Sequence, residues 1–184
     1  MLIICNESGR PTGEYLPKAL CHQGEGRRHL AITLLLFNRE GQVLLQRRKH
    51  GLFDDVWDLT AATHLLHHCD GSDESIDDAA ARCLWREYQI EPVHVAVLGA
   101  FSYFARYGER CENEYCFTLV GELNGSFKLN PEVAYGSQWV DQADFYADIA
   151  RSPEKYSPWA VLAVPIIRAP SVRVEGVIAV VEPL

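Results

Sequence analysis

Stretches patterned as strands and as helices alternate irregularly along this chain, and no strict strand-helix-strand repeat runs through it. That irregularity narrows the fold most: it predicts an α+β class, a mixed β-sheet sandwich with flanking helices. Residues 30–38 and 42–47 read as two strands of a hairpin joined around Glu40-Gly41. Ser75 with Asp78 resembles a capping box, which predicts a helix from there to about Tyr88. Further strands are expected at 2–5, 93–104, 112–121 and 137–140, with Asn124-Gly125 as a turn between the last two. Gly9-Arg10-Pro11 reads as a turn and 49–75 as loop. Helices are expected over 141–150 and 158–167, Pro165 kinking or ending the second. With no repeat and no Pro/Gly/Ser linker, residues 1–184 read as one domain carrying an extra strand or hairpin at about 171–184.

Composition limits the function classes. At 48% apolar and 23% charged residues the chain can bury a core, and it is not a disordered polymer. A net charge of −8 excludes broad nucleic-acid binding, yet basic islands at Arg27-Arg28 and Arg47-Arg48-Lys49 suit a small anion. The six cysteines show no CxxC pairing and read as reduced thiols of a cytoplasmic protein. The first residues lack the pattern of a signal peptide, and the greasiest run, 30–37, is far short of a membrane span.

Three features bear on chemistry. Along the predicted helix, Ile76, Ala79, Ala80, Cys83 and Leu84 form an apolar stripe with Glu87 near its middle. A carboxylate there needs a partner or a metal, or else it reaches water at the helix end. In Glu112-Asn113-Glu114 the two acids share one strand face, roughly 7 Å apart. They repel each other unless a cation lies between them; a solvated edge strand reads equally well. His22, His29 and His64, with two acids, offer mixed N/O ligands for Mn²⁺, Fe²⁺ or Zn²⁺, although no short-range ligand spacing joins them. His67-His68-Cys69-Asp70 reads as a surface loop, and nothing orients Cys21-His22 as a nucleophile pair.

Taken in order, many short motifs bear a resemblance. They are Asn6…Pro11-Thr12-Gly13, His22-x6-His29-Leu30-Ala31, Leu36-Phe37-Asn38…Gly41-Gln42, Arg47-Arg48, Val56-Trp57, His64, Ala79…Arg82, Glu87, Glu112-Asn113-Glu114, Gln138-Trp139 and Ser157-Pro158-Trp159. From about residue 5 to 165 the chain resembles the type I isopentenyl-diphosphate isomerases, a branch of the Nudix superfamily. The resemblance implies that His22, His29, His64, Glu112 and Glu114 hold one divalent ion (Mn²⁺, Zn²⁺ or Mg²⁺). It implies that Glu87 helps hold a Mg²⁺ bridging to the substrate diphosphate, and that Lys18 and Arg48 contact the phosphates. Trp159 would stabilise a carbocation-like intermediate with its π face. Glu114 with Tyr103 would transfer the proton on one side.

The sequence also departs from that pattern. The cysteine expected in a Cys-x-His pair is Ala62 of Ala62-Thr63-His64, which cannot transfer a proton. Losing such a group costs about 10²–10⁴-fold, which puts ordinary isomerase turnover in doubt. An arginine expected after Arg82 is Cys83, which weakens the anion grip. The hydrolase signature retains Arg82, Glu87 and Glu74 but lacks the clustered acids that load metal. The expectation is a metal-dependent enzyme, monomer or homodimer, acting on a prenyl or related small diphosphate, without nucleic-acid or membrane partners. A diphosphate hydrolase, an allylic-diphosphate cyclase or lyase, and an inactive ligand-binding homologue remain as alternatives.

Overall fold

The strand β3 (His29–Phe37) is buried along its whole length, and its period-two alternation feeds two separate cores. Leu30, Ile32, Leu34 and Leu36 pack with α2 (Ile76–Tyr88). Leu35 and Phe37 pack on the opposite face with α3 (Gln142–Arg151) and α4 (Pro158–Ile167). A strand apolar on both faces must lie inside a layered structure. The computed structural model describes residues 1–169, so the strand or hairpin expected at about 171–184 lies outside the described residues.

Around β3 a mixed nine-stranded sheet assembles. β1 (Leu2–Cys5) and β2 (Pro11–Leu16) form an antiparallel pair at one side. β4 (Gln42–Arg48) turns back from β3 at Gly41, whose φ of 76° suits the expected tight connection. β5 (Trp57–Asp58) and β9 (Ala134–Asp141) pair with β4, and β6 (Ala61–His64) pairs antiparallel with β3. On the other side of β3, β8 (Arg110–Glu122) runs parallel to it and forms a long hairpin with β7 (Val95–Tyr107). From Glu114 onward β8 has neighbours on both sides, and Glu112 and Glu114 are both buried, which removes the solvated-edge reading.

The structure corrects several sequence expectations. Pro11–Leu16 is a strand rather than only the end of a turn, and the expected loop at 49–75 contains β5 and β6. β8 and β9 do not pair across Asn124-Gly125; β9 instead crosses to β4. α4 spans the expected residues, with Pro165 inside it rather than ending it. The helix after Ser75 starts where expected, because the Ser75 side chain accepts from the Asp78 amide. The short helix α1 (Lys18–Cys21) precedes His22. Among the described residues, no helix is long and apolar enough to cross a membrane, and the six cysteines are free.

Candidate metal centre

Strand register assembles the site. Parallel pairing of β3 with β8 places His29 beside Glu114, and antiparallel pairing with β6 places Ala31 beside His64. His22 is brought in from the end of α1, and the backbone of Cys111 donates to its carbonyl. As a result one candidate ligand atom from each of His22, His29, His64, Glu112 and Glu114 lies within 4.8 Å of all the others. His22 Nε2 is 2.8 Å from Glu112 Oε2, and His64 Nε2 is 2.9 Å from Glu114 Oε1. His29 Nε2 stands 3.5 Å from the same Glu114 oxygen.

Whether these residues fit an ion can be judged from their hydrogen bonds. His22 Nδ1 donates to the Lys18 carbonyl at 2.6 Å, and His29 Nδ1 to the Arg27 carbonyl at 2.7 Å. Both rings thereby turn Nε2 to the centre, the orientation that ligating histidines require. His22 Nε2, His29 Nε2 and Glu112 Oε2 are buried without an aligned hydrogen-bond partner. Buried polar atoms left so are costly, and a shared cation satisfies all three. Three imidazoles and two carboxylates suit a borderline divalent ion.

The electrostatics agree with that fit. Burial alone would raise the carboxyl groups, but the facing imidazoles of His22 and His64 hold Glu112 below its ordinary value. His29 and His64 hold Glu114 well below, so both acids are anionic. Burial lowers His29. For His64 burial pulls in the same direction, but contacts to Glu112 and Glu114 outweigh it and raise the imidazole. Tyr103 Oη donates to Glu114 Oε2 at 2.6 Å, and burial keeps the phenol protonated.

A cavity of about 120 Å³ opens on this group, and Lys18, Arg48, Ala62, Tyr103 and Trp159 line it. Pockets for drug-sized ligands run to about 300–1,000 Å³, so this cavity is on the scale of a smaller molecule. Trp159 is held by its indole Nε1, which donates to Asp58 Oδ2 at 3.0 Å. Arg48 Nη1 donates to the same oxygen at 2.8 Å, and the guanidinium lies 4.6 Å from the indole centroid. Ser157 caps α4 and also donates to Asp58, which fixes Trp159 in the first turn of that helix.

The match to known proteins covers the elements just described. The NUDIX domain family matches residues 27–160. The chain belongs to the Nudix family. It is similar to an isopentenyl-diphosphate Delta-isomerase of Halobacterium salinarum, 36% identical over 154 residues covering 77% of this chain and 68% of that protein. It is also similar to one of Nocardia farcinica, 31% identical over 160 residues covering 85% and 87%. The crystal structure of the DR0079 protein from Deinococcus radiodurans superposes with a TM-score of 0.66 at 22% identity, covering 91% of this chain and 97% of the other. That likeness speaks to the fold. Family and relatives together make this chain an enzyme of the Nudix superfamily.

Glu87 stands apart from the five-residue group of this Nudix protein. It is buried and takes Gln46 Nε2 at 2.9 Å and Arg86 Nη2 at 2.5 Å, so its place on the apolar stripe is resolved by partners rather than by reaching water. Glu74 is engaged by Arg82, which also donates to the His64 carbonyl at 2.9 Å. His67 pairs with Asp73 and stacks on Tyr15, away from the centre. Cys21 is buried in a small core with Leu2 and Ile4, and burial pushes its thiol up to about 11, which removes it as a nucleophile. Sequence reading missed Asp58, His50, Arg86 and Cys116 around the pocket. His50 directly follows the basic island at 47–49, and Arg86 lies one turn after Arg82, signals that were available.

Proposed function

We propose that this protein is a divalent-metal-dependent enzyme acting on a prenyl or related small diphosphate, with an isomerase-type pocket that lacks one proton-transfer group at Ala62. The observation that carries this reading is the position of Glu114: it belongs to the five-residue donor group, accepts from Tyr103, and faces the cavity lined by Lys18 and Arg48. His22, His29, His64, Glu112 and Glu114 would hold the ion, and Glu87 would serve a second, Mg²⁺-type ion only after giving up its bond to Arg86. A bound divalent ion supplies positive charge that stabilises developing negative charge and binds the diphosphate.

The chain's own groups account for the remaining steps. Lys18 and Arg48 bind phosphate oxygens, and the Trp159 ring offers a π face to positive charge. Glu114, oriented by Tyr103, would take a proton from the substrate carbon on its side once the other side of the double bond has gained one. A methyl group stands at Ala62, so the proton gained there has no side-chain donor at that position and comes from solvent, which makes the double-bond shift slow. The hydrolase reading would need Glu74 and Glu87 beside Glu112 and Glu114, but both are engaged by arginines instead.

The test is incubation of purified protein with isopentenyl, dimethylallyl and geranyl diphosphates plus Mn²⁺ or Mg²⁺. The reading expects binding of a prenyl diphosphate with slow rearrangement of its hydrocarbon. Release of inorganic phosphate with the carbon skeleton unchanged would establish a hydrolase instead. A new hydrocarbon would establish a cyclase or lyase, and binding without product an inactive homologue.

A further inference from the structure

Among the described residues, the 13-residue strand β7 pairs with β8 alone, so its outer edge presents backbone donors and acceptors to no strand. A long edge of that kind is a pairing site that folded proteins cover or blunt with charge. From Val95 to Ala105 this strand carries no charged residue. Apolar side chains border the edge on both faces of the sheet. On one, Val97 stands opposite Leu119 of the core beneath α2 yet is 48% exposed. On the other, α4 lies so close that a Cβ on Gly99 would come within 3.1 Å of Ile166 Cγ2. Leu162, one turn before Ile166 and so on the same helix face, is 42% exposed.

Ala169 still donates to the Ile166 carbonyl, so the chain leaves α4 beside Gly99. Beyond it the sequence runs Val172-Arg173-Val174-Glu175-Gly176 and then five apolar residues, Val177-Ile178-Ala179-Val180-Val181. Four of those five are β-branched, and an unbroken apolar run suits a strand covered on both faces. We propose that residues 177–181 pair with the outer edge of β7 as a further strand of the same sheet. One face of that strand covers Val97, and the other packs under Leu162 and Ile166. Residues 170–176 bridge the distance, since that length of chain reaches about 23 Å when extended. That is several times the strand spacing of about 4.8 Å. Arg173, Glu175 and Glu182 flank the run and keep charge out of the contact.

Residue-resolved hydrogen exchange of the full chain, followed by NMR, tests this, with light scattering giving the mass. The readout is the set of amides in residues 95–101 that do not bond β8. In the wild type they should be protected at least about 100-fold over an unstructured chain, at monomer mass. Ile178→Pro removes a ladder donor and should cut that protection about tenfold or more, the scale of one lost hydrogen bond. Unchanged protection of the buried β3 amides shows that the variant is folded. Ile178→Asp puts a charge into the apolar contact and carries the test should the proline variant fail to fold. Outer amides that exchange at the unstructured rate in the wild type overturn the proposal. So does protection that the variants leave intact. Protection that disappears on dilution, together with a dimer mass, assigns the edge to a second copy and overturns it as well.

Discussion

Glu114 concentrates more of the account than any other side chain, because His29, His64 and Tyr103 all meet its carboxylate. Glu114→Gln keeps its size and removes its charge; turnover should fall about 10²–10⁴-fold with secondary structure unchanged, measured by product formation. Activity within a few-fold of wild type would remove it from the chemistry. Ala62→Cys should raise isomerase activity by a factor of the same order, about 10²–10⁴; no gain in a folded variant argues against a prenyl substrate. Metal binding carries its own pH dependence. Glu112 and Glu114 are held below their ordinary values, so they stay anionic, and protons compete with the ion at the imidazoles. His64 is raised, so its proton competes above the ordinary value of about 6.5. Affinity should therefore rise with pH through the histidine range and be lost below it, with protons released on binding. An affinity flat between pH 5 and 8 (about the range over which histidine titrates) would exclude imidazole ligands. The residue types of this centre were legible in the sequence, but their convergence was not. His22, His29 and His64 share no ligand spacing, and only the register of β3 with β6 and β8 brings two of them to the acids.

Among the elements, those with a long apolar pattern were readable and short ones were not. β3, β8 and α2 bury continuous or periodic apolar faces that a sequence displays directly. β5 has two residues and β6 four, too few to show alternation, and their pairing depends on partners distant in sequence. The same reason hid Asp58, a β5 residue whose role depends on Arg48, Ser157 and Trp159 from β4 and α4. α4 offers a direct check of that linkage. Ser157 caps the helix through the Ala160 amide and also donates to the buried Asp58. Ser157→Ala should cost about 1–2 kcal/mol in denaturant unfolding, the loss of a cap, and should shift Trp159 fluorescence. A loss below about 0.5 kcal/mol, the level of an ordinary surface substitution, would mean that the cap does not hold the pocket wall.

For the whole molecule, one candidate cation position among the described residues draws its ligands from His22 at the end of α1 and from β3, β6 and β8. An ion there binds only the folded chain, so a concentration 100-fold above its dissociation constant should add about 2.7 kcal/mol of stability. A chelator should lower the melting temperature by several degrees, at about 2–4 °C per kcal/mol for a chain of this size. Metal stoichiometry is the most direct test of the centre itself. Elemental analysis of protein reloaded with Mn²⁺ or Zn²⁺ and desalted should give one tightly held ion per chain in the wild type and none in the His29→Ala/Glu114→Gln double variant. A wild type without bound metal, or a double variant that keeps its ion, would contradict the account.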